Sequence, residues 1–102
     1  MELKSKQRSY LRSLANTLTP IFQVGKDGLT ETMCDEIHAA IEKRELIKVR
    51  VLPGGDMNAK ETAALMAEAM PDINVVQVLG NVITLFGRAK EEKNRKIELP
   101  TK

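Results

Sequence analysis

The sequence of 102 residues predicts an α/β (α+β) sandwich in which one four-stranded mixed sheet packs on three helices, in the order α-β-α-β-α-β-β. Segments with apolar residues at three- and four-residue spacing alternate with short runs rich in β-branched residues, which are the patterns of helices and strands. The connecting segments are short, and neither a linker nor an internal repeat is visible, so we expect a single domain.

The first predicted helix spans residues 3–18, and its apolar residues share one face: Leu3, Tyr10, Leu11, Leu14 and Leu18. Lys4, Arg8 and Arg12 follow at four-residue intervals, so they are expected to form a basic ridge beside that face. Proline disfavours helical geometry in the preceding residue, so Thr19-Pro20 ends this helix, and a short strand follows at residues 21–24.

Two further helices have recognisable starts. Thr30 is a good N-cap for a helix that runs to about Arg44, and Asn58 with Glu61 resembles the capping box of a helix over residues 59–70. Between them, residues 46–52 alternate apolar and charged side chains, which predicts a strand with one buried and one open face. A turn at residues 53–56 connects this strand to the third helix.

The last two strands are expected at residues 73–79 and 82–86, joined as a hairpin by Gly80-Asn81. The alternation then assigns five side chains to the open sheet face: Gln23, Lys48, Arg50, Gln77 and Thr84. From Ala89 onward the chain is polar and without periodicity. The prediction is one domain over residues 1–88, followed by a mobile or frayed basic polar tail, residues 89–102.

Charge is distributed unevenly, although the formal net charge is only +2. Residues 1–17 and 88–102 together carry ten basic and four acidic residues, whereas residues 18–87 carry six and ten. A polarised basic surface is typical of a nucleic-acid partner, but Lys and Arg that only solvate the termini give the same pattern. The single cysteine, and the lack of a signal peptide or a membrane-length apolar run, predict a cytoplasmic protein that spans no membrane.

The segment Gly25-Lys26-Asp27-Gly28 is the candidate functional motif. Two glycines three residues apart permit positive φ angles and leave the backbone uncovered by Cβ atoms, so we expect their N–H groups to point outward, and Lys26 adds a cation. The helix that follows presents the positive end of its dipole, which suits a sugar-phosphate backbone. A G-x-x-G loop clamps nucleotides in KH domains, although the same pattern also closes ordinary strand-to-helix turns.

Catalytic and metal chemistry are not indicated, and we expect neither an enzyme nor a cofactor. Cys34 and His38 lie one helical turn apart, but the chain has no other Cys or His, and a structural zinc site requires four ligands. The carboxylates near the second helix are expected to be ordinary solvated charges: Glu31, Asp35, Glu36, Glu42 and Glu45. The first two would repel an approaching phosphate backbone unless they face away.

Five stretches carry a resemblance to a known family: LTP at 18–20, VGKDGLT at 24–30, ELIKV at 45–49, VLGN at 78–81 and TLFGR at 84–88. In this order they resemble the CRM domain family (chloroplast RNA splicing and ribosome maturation), in particular its stand-alone bacterial YhbY-type members. The resemblance covers about nine-tenths of the chain. It implies a fold similar to the C-terminal domain of a bacterial translation initiation factor.

The resemblance also implies a function: a monomer that binds structured ribosomal RNA in precursors of the large ribosomal subunit and assists ribosome assembly. Gly25, Lys26, Asp27 and Gly28 would meet the phosphates. A basic track would extend from this loop over Lys4, Lys6, Arg8, Arg12 and Arg88. Because the chain has only three aromatic residues, we expect backbone contacts rather than base stacking. The alternative is an adaptor that docks a ribosomal protein through the acidic middle and the open sheet face.

Overall fold

The computed structural model of the protein describes residues 3–55 and 57–100. Its elements are α1 (Ser5–Ala15), β1 (Phe22–Val24), α2 (Glu31–Arg44), β2 (Leu46–Val51), α3 (Ala59–Ala69), β3 (Asn74–Leu79), β4 (Val82–Phe86) and a 3-10 turn (Glu92–Asn94). The predicted fold class and element order are confirmed, with α1 shorter than predicted at both ends. None of the helices in these residues is long and apolar enough to cross a membrane.

The N-terminal caps of α2 and α3 are those predicted. Thr30 Oγ1 accepts the Met33 N–H at 3.1 Å. Asn58 Oδ1 accepts the Glu61 N–H at 2.8 Å, and Glu61 Oε1 accepts the Asn58 N–H at 3.1 Å. Each cap satisfies backbone donors that have no partner inside the helix, so the starts of both helices are fixed by adjacent residues.

The sheet brings three loops to one edge. Its strand order is β1-β2-β4-β3, with β1 parallel to β2, and β4 antiparallel to both of its neighbours. The carboxyl ends of β1, β2 and β3 therefore lie together. Leu52 N–H donates to Val24 O at 2.9 Å and Val51 N–H to Asn81 O at 2.7 Å, so the strand ends are tied to one another. We call this the loop edge, and the opposite edge, where β2 begins and β4 ends, the distal edge.

The two faces of the sheet are covered unequally. α2 and α3 cover one face, over a core that includes Ile47, Val49 and Leu85. α1 lies on the other face and packs on Leu46 and Phe86 at the distal edge. The predicted open face is therefore open only in the half next to the loop edge. Thr84 was predicted on the open face, but it is 1% exposed, because the side chains around it on this face cover it.

Two side chains of α1 differ from expectation. Tyr10 was predicted on the packed face, but it is 39% exposed, because Leu11 and Ala15 occupy the interface with the sheet. Arg8 was predicted in an exposed basic ridge, but its Nη1 donates to Val75 O at 2.6 Å and to Val76 O at 3.0 Å. Arg8 is thus half-buried on β3, beside the bulge in the pairing of β3 with β4.

The C-terminal segment (residues 89–100) packs against the domain, so the prediction of a frayed extension is wrong for these residues. Ile97 and Leu99 lie on the apolar cluster that α1 forms with Leu46 and Phe86. Gln7 Nε2 donates to Pro100 O at 3.0 Å, which joins the end of the segment to α1. Helix α1 and this segment together cover the distal half of the sheet face.

Two carboxylates that were expected to be solvated hold the C-terminal segment. Glu45 is 0% exposed, and its carboxylate accepts the N–H groups of Ala89, Lys96 and Ile97 at 2.9, 2.6 and 2.9 Å. Glu42 accepts the Lys90 and Glu91 N–H groups at 2.7 and 3.1 Å and the Asn94 amide at 3.0 Å. The expectation failed because all of these donors lie more than forty residues further along the chain.

The pKa values of both carboxyls follow from these contacts. Burial opposes ionisation of Glu45, but the N–H bonds from Ala89, Ile97 and Lys96 outweigh it and leave the pKa below its ordinary value. The hydrogen bond from Asn94 and those from the Lys90 and Glu91 N–H groups lower the pKa of Glu42. Both groups are therefore anions at neutral pH, as N–H acceptors should be.

We expect Glu45→Gln to lower the free energy of unfolding by about 2–3 kcal/mol, because a hydrogen bond to a charged acceptor is worth about 1.5–3 kcal/mol and the new amide turns N–H donors toward N–H donors. Urea unfolding measures the change. The matched control is Glu36→Gln, an exposed position on α2, which should unfold like the wild type. Equal stability of the Glu45 and Glu36 variants would contradict the role assigned to Glu45.

Stability should also depend on pH through Glu42 and Glu45. A carboxyl whose folded-state pKa is depressed stabilises the fold above its unfolded pKa, and that contribution disappears as the pH falls through the folded value. The free energy of unfolding should therefore decline as the pH falls below about 4.5, the ordinary value of both groups. Urea unfolding at a series of pH values should show a shallower decline for Glu45→Gln than for the wild type.

Candidate nucleic-acid interface

The glycine loop (Gly25–Gly28) is a closed turn with an uncovered backbone. Gly28 has a φ of 72°, in the left-handed region that glycine adopts without strain, whereas Gly25 has no positive φ. Gly28 N–H donates to Gly25 O at 3.0 Å, so this N–H closes the turn and does not point outward as expected. A Cβ at either glycine would meet no atom within 4 Å, so the outer surface of the turn is accessible to a ligand backbone.

The loop that follows β2 supports the glycine loop from behind. A Cβ at Gly55 would lie 3.6 Å from Gly25 O and 3.9 Å from the Lys26 Cα, which are ordinary contact distances. Met57 and Thr62 line a cavity of about 120 Å³ between the two loops. Asp56, the last residue of the predicted turn, lies outside the described residues. The glycine loop is thus backed by protein on one side and open to solvent on the other.

Three exposed cations lie at or near the loop edge. Lys26 is at the tip of the glycine loop beside Asp27, and Arg50 lies near the end of β2. Lys60, in the first turn of α3, was missed by the sequence reasoning. A basic residue in the first turn opposes the helix dipole, which was a signal that its charge serves another purpose. Glu31 begins α2 and is also exposed, so a carboxylate weakens the positive potential next to the glycine loop.

The other candidate residues are not gathered at the glycine loop. Arg88 is exposed just beyond the end of β4, at the distal edge. Arg8 contacts the first half of β3, away from the loop edge. Lys4 is next to Leu3, which packs on Leu46 and Phe86 at the distal edge. Lys6 and Arg12 are exposed on α1. Since the six residues of β2 span about 17 Å from one edge to the other, the candidate cations form two groups rather than one continuous track.

Cys34 and His38 do not form a site together. His38 Nε2 lies 3.0 Å from Asp72 Oδ1, and this hydrogen bond lowers the pKa of Asp72. Burial, and then the nearby Asp35 and Glu31, raise the pKa of the Cys34 thiol, which disfavours the reactive thiolate. Over residues 3–55 and 57–100, no three His, Cys, Asp or Glu side chains are grouped to hold a metal ion.

Comparison with known proteins identifies the family. The family model of the CRS1 / YhbY (CRM) domain matches residues 3–86. The chain belongs to this family. The CRM domain match ends at the last residue of β4, so the C-terminal segment held by Glu42 and Glu45 lies beyond it.

Relatives and a solved structure match this chain over nearly its full length. Probable RNA-binding protein YqeI of Bacillus subtilis is 44% identical over 98 residues, covering 96% of this chain and 99% of the relative. A Haemophilus influenzae protein named RNA-binding protein is 35% identical over 100 residues, covering 98% and 97%. The solution structure of a hypothetical Staphylococcus aureus protein, described as a suggested RNA binder, matches with a TM-score of 0.76 and 44% identity, covering 97% and 100%.

Substitutions at Gly28 and Gly25 test whether a side chain destabilises the glycine loop through backbone strain or through steric contact. Gly28→Val should lower the free energy of unfolding by about 1–2 kcal/mol, because a β-branched residue is strained at a φ of 72°, while Gly28→Asn should cost less. Gly25→Ala should be nearly neutral, since Gly25 has an ordinary φ and open space around it. Urea unfolding of the three variants measures the order. A Gly25→Ala cost as large as that of Gly28→Val would contradict this account of the turn.

Proposed function

We propose that this protein binds structured RNA through the loop edge. The observation that carries the proposal is the turn at Gly25–Gly28, whose backbone is open to the outside and which presents the exposed Lys26 at its tip. A phosphate backbone can approach such a turn more closely than any surface covered by Cβ atoms. Lys60 and Arg50 add positive charge nearby, and the names of the relatives point to the same class of partner.

The contacts available favour shape and charge over sequence readout. Lysine and arginine contacts to phosphates position a protein on RNA without reading bases. Of the three aromatic residues, Phe86 is buried and Phe22 packs against the core, which leaves little surface for conventional base stacking. A folded RNA should therefore bind better than an unstructured strand that depends on stacking.

The resemblance to YhbY-type proteins leads to a finer proposal: the RNA is ribosomal RNA in precursors of the large ribosomal subunit, bound by a cytoplasmic monomer that assists assembly. The exposed cations away from the loop edge would add contacts to a second stretch of the same RNA: Lys4, Lys6, Arg12 and Arg88. Arg8 would contribute less, because its guanidinium is already bonded to β3.

Nuclease treatment of large-subunit precursor particles tests the class of partner. If this protein contacts RNA, digestion of the RNA releases it, and the purified protein binds the purified RNA. Retention on a defined ribosomal protein after digestion, together with no binding to purified RNA, would instead establish the adaptor alternative.

The salt dependence of RNA affinity tests whether Lys26 contacts a phosphate. Lys26→Gln removes one phosphate contact, so the slope of log affinity against log salt concentration should flatten by about 0.7–0.9. Lys43→Gln is the matched control, because Lys43 is exposed on α2, away from the loop edge. Its slope should equal that of the wild type. Equal slopes for the Lys26 variant and the wild type would mean that the glycine loop does not meet the phosphates.

A further inference from the structure

The half of the sheet face next to the loop edge is exposed and has a definite pattern of side chains. Strand register aligns two rows across it. One row is Gln77, Thr84 and Lys48. The row nearer the loop edge is Leu79, Val82, Arg50 and Gln23. In each row the β3 and β4 members are apolar or uncharged, and the β2 member is a cation.

A recess of about 140 Å³ lies on this surface, with Pro20 on one side and Leu79 and Val82 on another. Leu79 is 70% exposed and lines the recess together with Pro20 and Val82, so it belongs to an apolar patch and is not an isolated surface leucine. Ile21, next to Pro20, is also exposed. The recess therefore has apolar walls that water contacts directly, and covering them would be favourable.

Two cations stand to one side of these apolar walls. Lys48 lines the recess and Arg50 is exposed beside it, and the structure gives neither a salt bridge in the ranges it describes. They are two strands away from Gln77 and Leu79, a separation of about 10 Å at the usual strand spacing. A ligand that fits this arrangement has a flat apolar part joined to an anionic part, as a nucleotide has.

The recess lies close to the glycine loop along the sheet. Gln23 belongs to the row nearer the loop edge, pairs with Arg50 and is two residues before Gly25. An RNA strand held at the glycine loop would therefore reach the recess within a short distance.

We propose that the recess takes one unpaired nucleobase of the bound RNA, a proposal that rests on the proposed function and extends it. The base packs against Leu79 and Val82, and Lys48 and Arg50 hold the adjoining phosphates. Gln77 supplies an amide that can pair with the base edge, and Thr84, which is 1% exposed, lies at the floor of the recess. The preferred RNA is thus a folded RNA with a bulged or looped-out nucleotide, recognised by aliphatic rather than aromatic packing.

A double-mutant cycle tests this directly. The two probes are an RNA hairpin with one bulged adenosine and the same hairpin with an abasic ribose at that position. For the wild type, loss of the base should weaken binding about five- to tenfold, or about 1–1.4 kcal/mol, because the apolar walls of the recess would be left in contact with water. For Leu79→Ala the two hairpins should bind with nearly equal affinity. Because Leu79 is 70% exposed, its truncation should leave the fold intact.

The control is Leu65→Ala, a leucine truncation on α3 on the opposite side of the sheet, which should keep the wild-type preference for the intact hairpin. If the abasic change weakens the wild type and Leu79→Ala equally, the base is bound elsewhere, and this proposal is wrong while RNA binding stands. If the wild type binds neither hairpin, the proposed function itself fails. A third outcome is that a peptide of alternating Glu and Leu binds the wild type but not Leu79→Ala, while the affinity for RNA is the same for both proteins. The recess is then a protein-docking site, and the proposal is overturned.

Discussion

The buried carboxylate of Glu45 is the interaction on which the arrangement of this domain depends. The residue lies between α2 and β2 at a φ of 63°, its own N–H donates to Ile41 O at 2.8 Å, and its O accepts the Gly87 N–H at 2.9 Å. Its side chain binds three N–H groups of the C-terminal segment. One residue thus connects the end of a helix, the end of β4 and the last part of the chain. A buried anion is stable here because backbone dipoles replace the water that it has lost.

The hydrogen bonds of Glu45 to the C-terminal segment determine which part of the sheet face stays exposed to a partner. With the C-terminal segment and α1 held over the distal half, the remaining face lies entirely beside the loop edge. The apolar recess with Lys48 and Arg50 lies on this remaining face, and the glycine loop with Lys26 lies at its end. Glu31 of α2 lies next to the glycine loop, whereas the other exposed carboxylates of α2 lie further along the helix layer across the sheet. A polyanion is consequently favoured more on the recess face than on the helix layer, although the net charge is only +2.

The features that the sequence predicted well are those fixed by neighbouring residues. The caps at Thr30 and Asn58 need only side chains three residues away, and the alternation in β2 shows directly which side chains are buried. Most of the failures involve distant partners. Nothing near Glu45 indicates that Ala89 and Ile97 will donate to it, and nothing near Arg8 indicates the carbonyls of β3. At the candidate site, the positive φ of Gly28 follows from local turn chemistry, but the separation of Arg88 from the loop depends on strand order.

The contact of Arg8 with Val75 and Val76 has a consequence for self-association. β3 is one of the two outermost strands of the sheet. An outermost strand with unpaired carbonyls is a template for a strand of another chain. Here a guanidinium binds the carbonyls of two successive residues of β3, and the bulge interrupts the regular spacing that an incoming strand needs. The outermost strand on the other side of the sheet, β1, is only three residues long. Both margins of the sheet are therefore poor templates for fibril-like growth, even where many copies of the protein are crowded together.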